Sequence, residues 1–199
     1  MHGAPRDART CEASARQARH TLALRIARAS DYRGSVSDSS IIRAMTPADL
    51  PAVGQLAGKL VRMHHELDPQ RFLHLANPEA GYARYLEGEL KNDRVVLLVA
   101  ERAADQGVVG YAYARLEPRD YNELLDACGK LHDVYVDDGA RGQGLGEKLV
   151  REVVRRLTEK GAPRVVLMTA VQNEPAQRLF RRLGFGTTML EMTRESADA

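Results

Sequence analysis

The amino-acid sequence predicts an α/β domain in which helices cover one mixed β-sheet, and three observations support this prediction. The chain has 199 residues, the length of one ordinary domain. Its hydrophobic fraction of 44% and charged fraction of 28% are close to the averages for soluble globular proteins, which disfavours a disordered chain or a coiled coil. Strand and helix patterns alternate along residues 41–195 in the order β-α-α-β-β-β-α-β-α-β.

Residues 1–40 differ in composition from the rest of the chain. They contain seven Arg and no Lys, many Ala and Ser, and few large apolar side chains. Such a segment buries too little apolar surface to offset the entropy that ordering costs. We therefore expect a mobile N-terminal tail at residues 1–40 and a folded domain at residues 41–195. Asp7, Glu12 and Asp31 disfavour an organelle transit peptide.

The elements of the domain follow from hydrophobic periodicity and from capping residues. Thr46 and Pro47 predict a helix start, and apolar residues from Leu50 to Met63 keep helical spacing. Asn173 predicts the start of the last helix. Helices are expected at residues 46–63, 78–90, 145–161 and 173–184. Strands are expected at residues 41–44, 94–101, 108–116, 131–136, 164–171 and 186–193.

Charge, cysteine content and hydropathy exclude several function classes. A net charge of +2 is too small for the positive field of a duplex-binding domain, so we expect no nucleic-acid partner. The longest apolar run, residues 95–100, is far shorter than the ~20 residues that cross a bilayer, so we expect no membrane partner. Cys11 and Cys128 lie far apart and do not indicate a disulfide framework, which favours a cytoplasmic location.

A glycine-rich segment between a strand and an amphipathic helix carries the clearest chemical signal. Its sequence is Arg141-Gly142-Gln143-Gly144-Leu145-Gly146. Glycine lets the backbone turn tightly, and a helix start offers unpaired N–H groups to a phosphate or pyrophosphate. The dinucleotide pattern fails because Glu147 stands where its third glycine is required, and the Walker pattern fails around Lys148. A simple strand-to-helix turn remains the alternative.

The motifs around this segment resemble the GCN5-related N-acetyltransferase (GNAT) family over about residues 41–195. The resemblance rests on the strand at 131–136, Arg141-x-x-Gly144-x-Gly146, Asn173-x-x-Ala176, Phe180 and Gly184-Phe185. It implies a twisted, mostly antiparallel sheet with a central splay. It also implies acetyl-CoA as co-substrate, a small-molecule or protein amine as acceptor, and direct attack without a covalent intermediate. Homodimers are common in families of this kind, although the sequence does not fix the oligomeric state.

The resemblance assigns cofactor-binding positions residue by residue. The backbone of Val134 and Val136 would bind the pantetheine arm and the acetyl carbonyl group. The loop residues Arg141, Gly142, Gln143, Gly144, Leu145 and Gly146 would hold the pyrophosphate. Asn173 would meet the pantetheine or the acceptor, and Phe180 occupies the position where many members carry a tyrosine that protonates the departing thiolate.

The base and the acid are the open chemical questions. An alkylammonium with a pKa near ~10.4 is almost fully protonated at pH 7, so a base is useful, and His132 or its neighbour Asp133 is the candidate. Strand alternation puts these two side chains on opposite faces unless a bulge intervenes, so we expect only one to face the acceptor. His132 as an ordinary polar residue at a strand edge is the alternative. With Phe180 unable to donate a proton, Tyr135 or water would serve as the acid.

Other clusters give weaker signals. The spacing of His64, His65 and His74 fits no standard zinc pattern, so no metal site is expected, and these residues would line the acceptor side or the surface. Tyr82 and Tyr85 have helical spacing and are expected in the core or in a pocket wall. The alternative to an enzyme is a non-catalytic acyl-CoA sensor, because the usual tyrosine is absent at Phe180.

Overall fold

Five strands and four helices make up the part of the chain that the structure, a computed structural model, describes: residues 40–102 and 107–196. The predicted N-terminal tail lies outside the described residues, except for Ser40. No helix in the described ranges is long and apolar enough to cross a membrane. The strands are β1 (Ser40–Ala44), β2 (Val95–Arg102), β3 (Val108–Glu117), β4 (Cys128–Val136) and β5 (Val165–Leu167). The helices are α1 (Leu50–Leu67), α2 (Pro78–Glu89), α3 (Leu145–Glu159) and α4 (Glu174–Arg182).

The strands form one sheet in the order β1-β2-β3-β4-β5. Every neighbouring pair is antiparallel except β4 and β5, which run parallel. β5 pairs with β4 only from Gly129 to Leu131, so the remainder of β4 continues beyond its pairing with β5. This geometry confirms the predicted mostly antiparallel sheet. The separation of β4 from β5 after Leu131 lies beside the edge strand of the described sheet and not at its centre.

The helices cover opposite faces of the sheet. Along a strand successive side chains alternate between faces, so Leu98 packs on one side and its neighbour Val99 on the other. α3 and α4 cover the first face, where Leu149, Val153, Leu157 and Phe180 join an apolar core. α1 and α2 cover the second face, where Val53, Leu60 and Leu86 pack beside Tyr111 and Tyr113.

The predicted capping residues explain where the helices begin and end. The backbone N–H and hydroxyl of Thr46 donate to Asp49, at 2.7 and 2.8 Å, in a single 3-10 turn that precedes α1. The N–H of Ala176 donates to Oδ1 of Asn173 (3.3 Å), which caps α4. Gly161, after α3, has a φ of +96°, a left-handed conformation that glycine adopts without strain.

The predicted strand at residues 186–193 is wrong. This segment has no regular secondary structure, and the Met189, Leu190 and Met192 side chains are between 79% and 91% exposed. An apolar pattern becomes a strand only where a neighbouring strand supplies hydrogen-bonding partners. β5 is three residues long instead of the eight expected at 164–171, so the edge beside it offers little backbone for pairing.

Candidate active site

A pocket of about 360 Å³ opens where α2 meets β3 and β4. Tyr82 and Tyr85 are three residues apart, so one face of α2 presents both of them to the sheet. β3 and β4 supply the opposite wall. The lining residues are Gly81, Tyr82, Tyr85, Tyr113, His132 and Asp133. The structure therefore brings the two predicted catalytic candidates of β4 together with the predicted tyrosine wall of α2.

A β-bulge places both His132 and Asp133 in this pocket. Tyr113 pairs with Asp133 and the next residue of β3, Ala114, pairs with Leu131, so His132 is an extra residue in β4. An extra residue interrupts the regular alternation of side chains. Regular alternation would place the two side chains on opposite faces, and the bulge, the exception to that expectation, directs both of them to the same cavity.

His132 is held by one carboxylate and one aromatic ring. Its Nε2 lies 3.0 Å from Oε1 of Glu117, and its ring stacks on Tyr113 with centroids 5.0 Å apart. Burial lowers the pKa of His132, an effect that the Glu117 carboxylate only partly opposes. An ionised carboxylate only accepts hydrogen bonds, so the neutral imidazole carries its proton on Nε2 and leaves a lone pair on Nδ1. This arrangement suits a general base.

Asp133 is partly buried, and its described hydrogen bond is long. The hydroxyl of the fully buried Tyr111 donates to its Oδ2 over 3.4 Å. Desolvation raises the pKa of Asp133 to about 6, and the hydrogen bond from Tyr111 only partly offsets this. The carboxylate is therefore a negative charge without a cationic neighbour in its described hydrogen bonds and ion pairs.

The tyrosines form a preorganised wall of neutral phenols. The hydroxyl groups of Tyr85 and Tyr113 are 2.8 Å apart, and their rings meet at 84° with centroids 5.8 Å apart. Burial raises the pKa of Tyr82 to about 12 and that of Tyr113 above its usual range. Tyr82 and Tyr113 therefore stay protonated at physiological pH.

Tyr135, the third predicted catalytic residue, does not line the pocket. Its side chain is 6% exposed and belongs to the core under α1. The Arg141 guanidinium lies over its ring at 5.4 Å, and burial raises the pKa of Tyr135. The structure therefore separates Tyr135 from His132 and Asp133.

The glycine-rich loop has the backbone conformation that its sequence predicts. Gly142 and Gly144 have φ angles of +79° and +75°, and Gly144 is the N-cap of α3. A Cβ added at either residue would meet no atom within 4 Å, so backbone conformation and not crowding requires glycine. The exposed Gln143 lies between them, and the buried Leu145 anchors the first turn of α3 in the core. The unpaired N–H groups of this turn can bind an anion.

A 3-10 turn at Asp138–Ala140 separates the loop from the end of β4 at Val136. The N–H of Asp137 donates to the carbonyl of Val109 on β3 (2.8 Å), so alternation directs the backbone groups of Val134 and Val136 to the other side. The Arg141 Nε donates to the Val136 carbonyl at 3.0 Å, which agrees with this direction. The Arg141 side chain thus connects the start of the loop to the open edge of β4.

Asn173 and Phe180 have structural roles in the described contacts. The Asn173 side chain caps α4, as described above. Phe180 is 7% exposed and packs against Phe185, with ring centroids 5.9 Å apart, in the core beneath α3 and α4. Neither residue lines the pocket.

His64 and His65 lie in the last turn of α1, not in the loop after it, and only His65 is hydrogen-bonded to that loop. Nδ1 of His64 lies 2.9 Å from the Leu60 carbonyl, and Nδ1 of His65 lies 3.0 Å from the Phe72 carbonyl. Within residues 40–102 and 107–196 no group of three or more His, Cys, Asp or Glu side chains could hold a metal ion.

Glu117 is the site residue that sequence reasoning missed. It ends β3, fifteen positions before His132, and no spacing rule connects the two residues. The signal available in the sequence was the hairpin-like succession of β3 and β4, but the bulge changes which residues meet across it.

Comparisons with known proteins agree on one family. Residues 60–185 match the sequence profile of the acetyltransferase (GNAT) family. A mycothiol acetyltransferase of Saccharomonospora viridis is 34% identical over 85 residues, which are 42% of this chain and 28% of that protein. Glucosamine 6-phosphate N-acetyltransferase 1 of Oryza sativa subsp. japonica is 37% identical over 89 residues, 45% of this chain and 53% of that protein. The matches therefore span between about a quarter and about half of these relatives.

Solved structures share the fold across most of the chain. An aminoglycoside N-acetyltransferase in complex with CoA has a TM-score of 0.61 at 23% identity, with 83% of this chain and 98% of that chain covered. A Bacillus halodurans protein has a TM-score of 0.69 at 18% identity, with 78% and 99% covered. At identities this low, the structural similarity establishes a common fold and nothing about function.

Proposed function

The chain belongs to the acetyltransferase (GNAT) family, and from this premise we propose that it is an N-acetyltransferase that moves an acetyl group from acetyl-CoA to a primary amine. The acceptor is an amine of a small molecule or a protein. The observation that carries the proposal is the continuity of two surfaces on β4. One is a pocket containing His132 and Asp133, and the other is the open backbone edge that leads into the glycine loop.

The backbone surface fits acetyl-CoA. Val134 and Val136 would bind the amide groups of the pantetheine arm, and the N–H groups from Gly142 to Gly146 would bind the pyrophosphate at the start of α3. Positive φ angles at Gly142 and Gly144 turn successive N–H groups toward one side. Acetyl-CoA supplies an activated thioester, so the protein needs to bind, orient and deprotonate the amine.

We assign the proton acceptor to His132. The amine arrives as an ammonium ion and gives a proton to Nδ1 of His132, while Glu117 keeps the imidazole oriented through Nε2. The amine lone pair then attacks the thioester carbonyl carbon, so that a C–N bond forms and the C–S bond breaks. The second proton that the nitrogen loses on becoming an amide passes through water to the departing thiolate. Asp133 holds the ammonium ion before this step.

The leaving thiolate needs little assistance. A thiol with a pKa near ~8.5 is mostly protonated at pH 7, so water can supply the proton. Tyr135 is the tyrosine candidate of β4, and burial keeps its hydroxyl protonated. Because its side chain packs under α1 and away from the pocket, water is the proton donor in this proposal.

Product identification tests the proposal. The full chain is incubated with acetyl-CoA and a panel of primary amines, and CoA thiol release and the mass of each product are measured. We expect equal amounts of free thiol and N-acetylated amine. Tight CoA binding without product from any amine would contradict the proposal and favour the acyl-CoA sensor, the alternative that Phe180 suggests.

A further inference from the structure

The acceptor pocket has one negative charge and no described positive charge. Its lining contains three tyrosines, Asp133, a glycine and His132, whose pKa is lowered by burial. No Lys or Arg is among the described residues that line it. A ligand that enters this pocket therefore meets aromatic rings and a carboxylate.

The charge of a neighbouring cation is already balanced. Arg115 lies on β3 with its Nε 3.4 Å from Glu117 and its guanidinium 4.0 Å from Glu89. It also has a hydrogen bond with the Tyr113 hydroxyl. Two carboxylates offset the charge of Arg115. Glu123, 3.8 Å from Nζ of Lys130, offsets that of the second cation that acts on His132, and neither cation is among the described residues that line the pocket.

Tyrosine rings and a desolvated carboxylate favour the same ligand chemistry. The face of an aromatic ring attracts a cation, and the attraction is stronger where water is excluded. Tyr85 is half exposed at 49%, and Tyr82 is partly buried, so both have surface available to a ligand. A cation would also supply Asp133 with the opposite charge that its described partners do not provide.

We propose that the acceptor is an alkylamine bound as its ammonium ion between Tyr82, Tyr85 and Asp133, and that amines bearing a phosphate or carboxylate near the amine are poor substrates. This inference rests on the proposed function. It narrows the acceptor to cationic amines without a nearby anionic group. The rice relative carries glucosamine 6-phosphate in its name, and the present pocket has no described cation to bind such a phosphate.

A non-reactive probe tests the cation site separately from catalysis. Choline has no N–H bond and cannot be N-acetylated, and 3,3-dimethylbutan-1-ol is its neutral isostere. Both are titrated by NMR into the full chain saturated with CoA. We expect choline to bind more tightly than the isostere. Tyr82→Leu should weaken choline binding about three- to thirtyfold, whereas Tyr82→Phe, which keeps a ring, should bind nearly as well as the original chain.

Two controls make this result specific. Tyr121→Leu removes an aromatic ring that is 78% exposed and does not line the pocket, so it should not change choline binding. Asp133→Asn keeps the side-chain shape but removes the charge, so it should weaken choline and leave the isostere unchanged. Equal binding of choline and its isostere, or equal losses for the Leu and Phe variants at Tyr82, would overturn the inference.

A matched substrate pair provides the second arm. Ethanolamine and phosphoethanolamine differ by one phosphate group two carbons from the amine, and we expect kcat/KM to be at least about tenfold higher for ethanolamine because of repulsion from Asp133. A preference for the phosphorylated amine would contradict the inference while supporting acetyl transfer. Absence of transfer to every amine would contradict the proposed function, and the choline titration would still decide the nature of the pocket.

Discussion

The two faces of the sheet differ in how they would bind a ligand. On the α3 side the candidate site consists of main-chain groups, where Gly142 and Gly144 adopt positive φ and Val134 and Val136 offer their backbone. On the α2 side it consists of side chains, namely tyrosine rings and the carboxyl group of Asp133. Main-chain recognition depends on backbone shape and suits a constant co-substrate, whereas side-chain recognition selects among acceptors.

The largest expected effect comes from His132, the proposed proton acceptor on the α2 side. His132→Gln should lower kcat at pH 7 by about a hundredfold, since a positioned general base contributes at least that much. The deficit should shrink toward the pKa of the amine, where unassisted deprotonation becomes easier. Glu117→Gln should lower kcat less, because Glu117 orients the imidazole without touching the amine.

Rates measured from pH 5 to pH 10 check this prediction. The unaltered protein should lose activity as pH falls through about 6, where Asp133 becomes protonated, and His132, whose pKa is lowered by burial, should become protonated only below the usual histidine range. A deficit in His132→Gln that is the same at every pH would assign the base to Asp133 or to water.

The second prediction contrasts two carboxylates by their effects on stability. The pKa of Asp133 is raised from 3.8 to about 6 on folding, so the folded state loses stability as pH rises through this interval. Asp133→Asn should therefore increase the free energy of unfolding above pH 7, by at most about 3 kcal/mol, and have little effect at pH 4. Urea unfolding at both pH values measures the difference.

Asp49 is the matched control with the opposite sign. Hydrogen bonds from Arg43, at 2.7 and 2.8 Å, lower the pKa of Asp49 to about 2. Its stabilising contribution is present above pH 4 and lost as pH falls toward 2. Asp49→Asn should therefore destabilise the fold at pH 7. A similar loss in Asp133→Asn at pH 7 would show that Asp133 serves the fold and not the site.

The third prediction tests main-chain recognition on the α3 side. Gly144→Val puts a β-branched residue at a φ of +75°, which costs about 1–2 kcal/mol and blocks close approach of a ligand. CoA affinity should fall at least about tenfold while the domain stays folded. Gly88→Val, a change in open space on α2, is the control and should leave CoA affinity unchanged. Unchanged affinity in a folded Gly144→Val protein would contradict this assignment.

The smallest expected effect concerns the missing tyrosine. Phe180→Tyr should change turnover by no more than about threefold, because protonating a thiolate is already favourable at neutral pH. CoA release by both proteins with the same amine measures it. A hundredfold increase would mean that thiolate protonation limits the proposed reaction and that Phe180 restricts it.

The α3 side could be predicted from the sequence because its determinants are consecutive. Six residues, 141–146, encode the loop, and positive φ at Gly142 and Gly144 confirms the prediction from glycine spacing. The amphipathic pattern of α3 also predicts which face of the helix packs against the sheet, and Leu149 and Val153 on that face are fully buried. In the loop and in α3, the conformation that neighbouring residues favour is the one found in the folded domain.

The α2 side could be predicted only in part because its geometry depends on pairing between distant residues. His132 and Asp133 were identifiable as polar residues of a strand, but their common direction required the bulge opposite Tyr113 and Ala114. A one-residue bulge redirects side chains without changing the hydrophobic pattern. The strand expected at 186–193 failed for a similar reason, since pairing needs a partner that the apolar pattern does not reveal.

Steady-state kinetics with both substrates varied provides the most direct test of the division between the two faces. Gly144→Val should raise the KM for acetyl-CoA and leave the KM for the amine nearly unchanged. Tyr82→Leu should raise the KM for the amine and leave that for acetyl-CoA nearly unchanged. If each variant raised both constants together, or if Gly144→Val affected only the amine, the assignment of the co-substrate and the acceptor to opposite faces of the sheet would be contradicted.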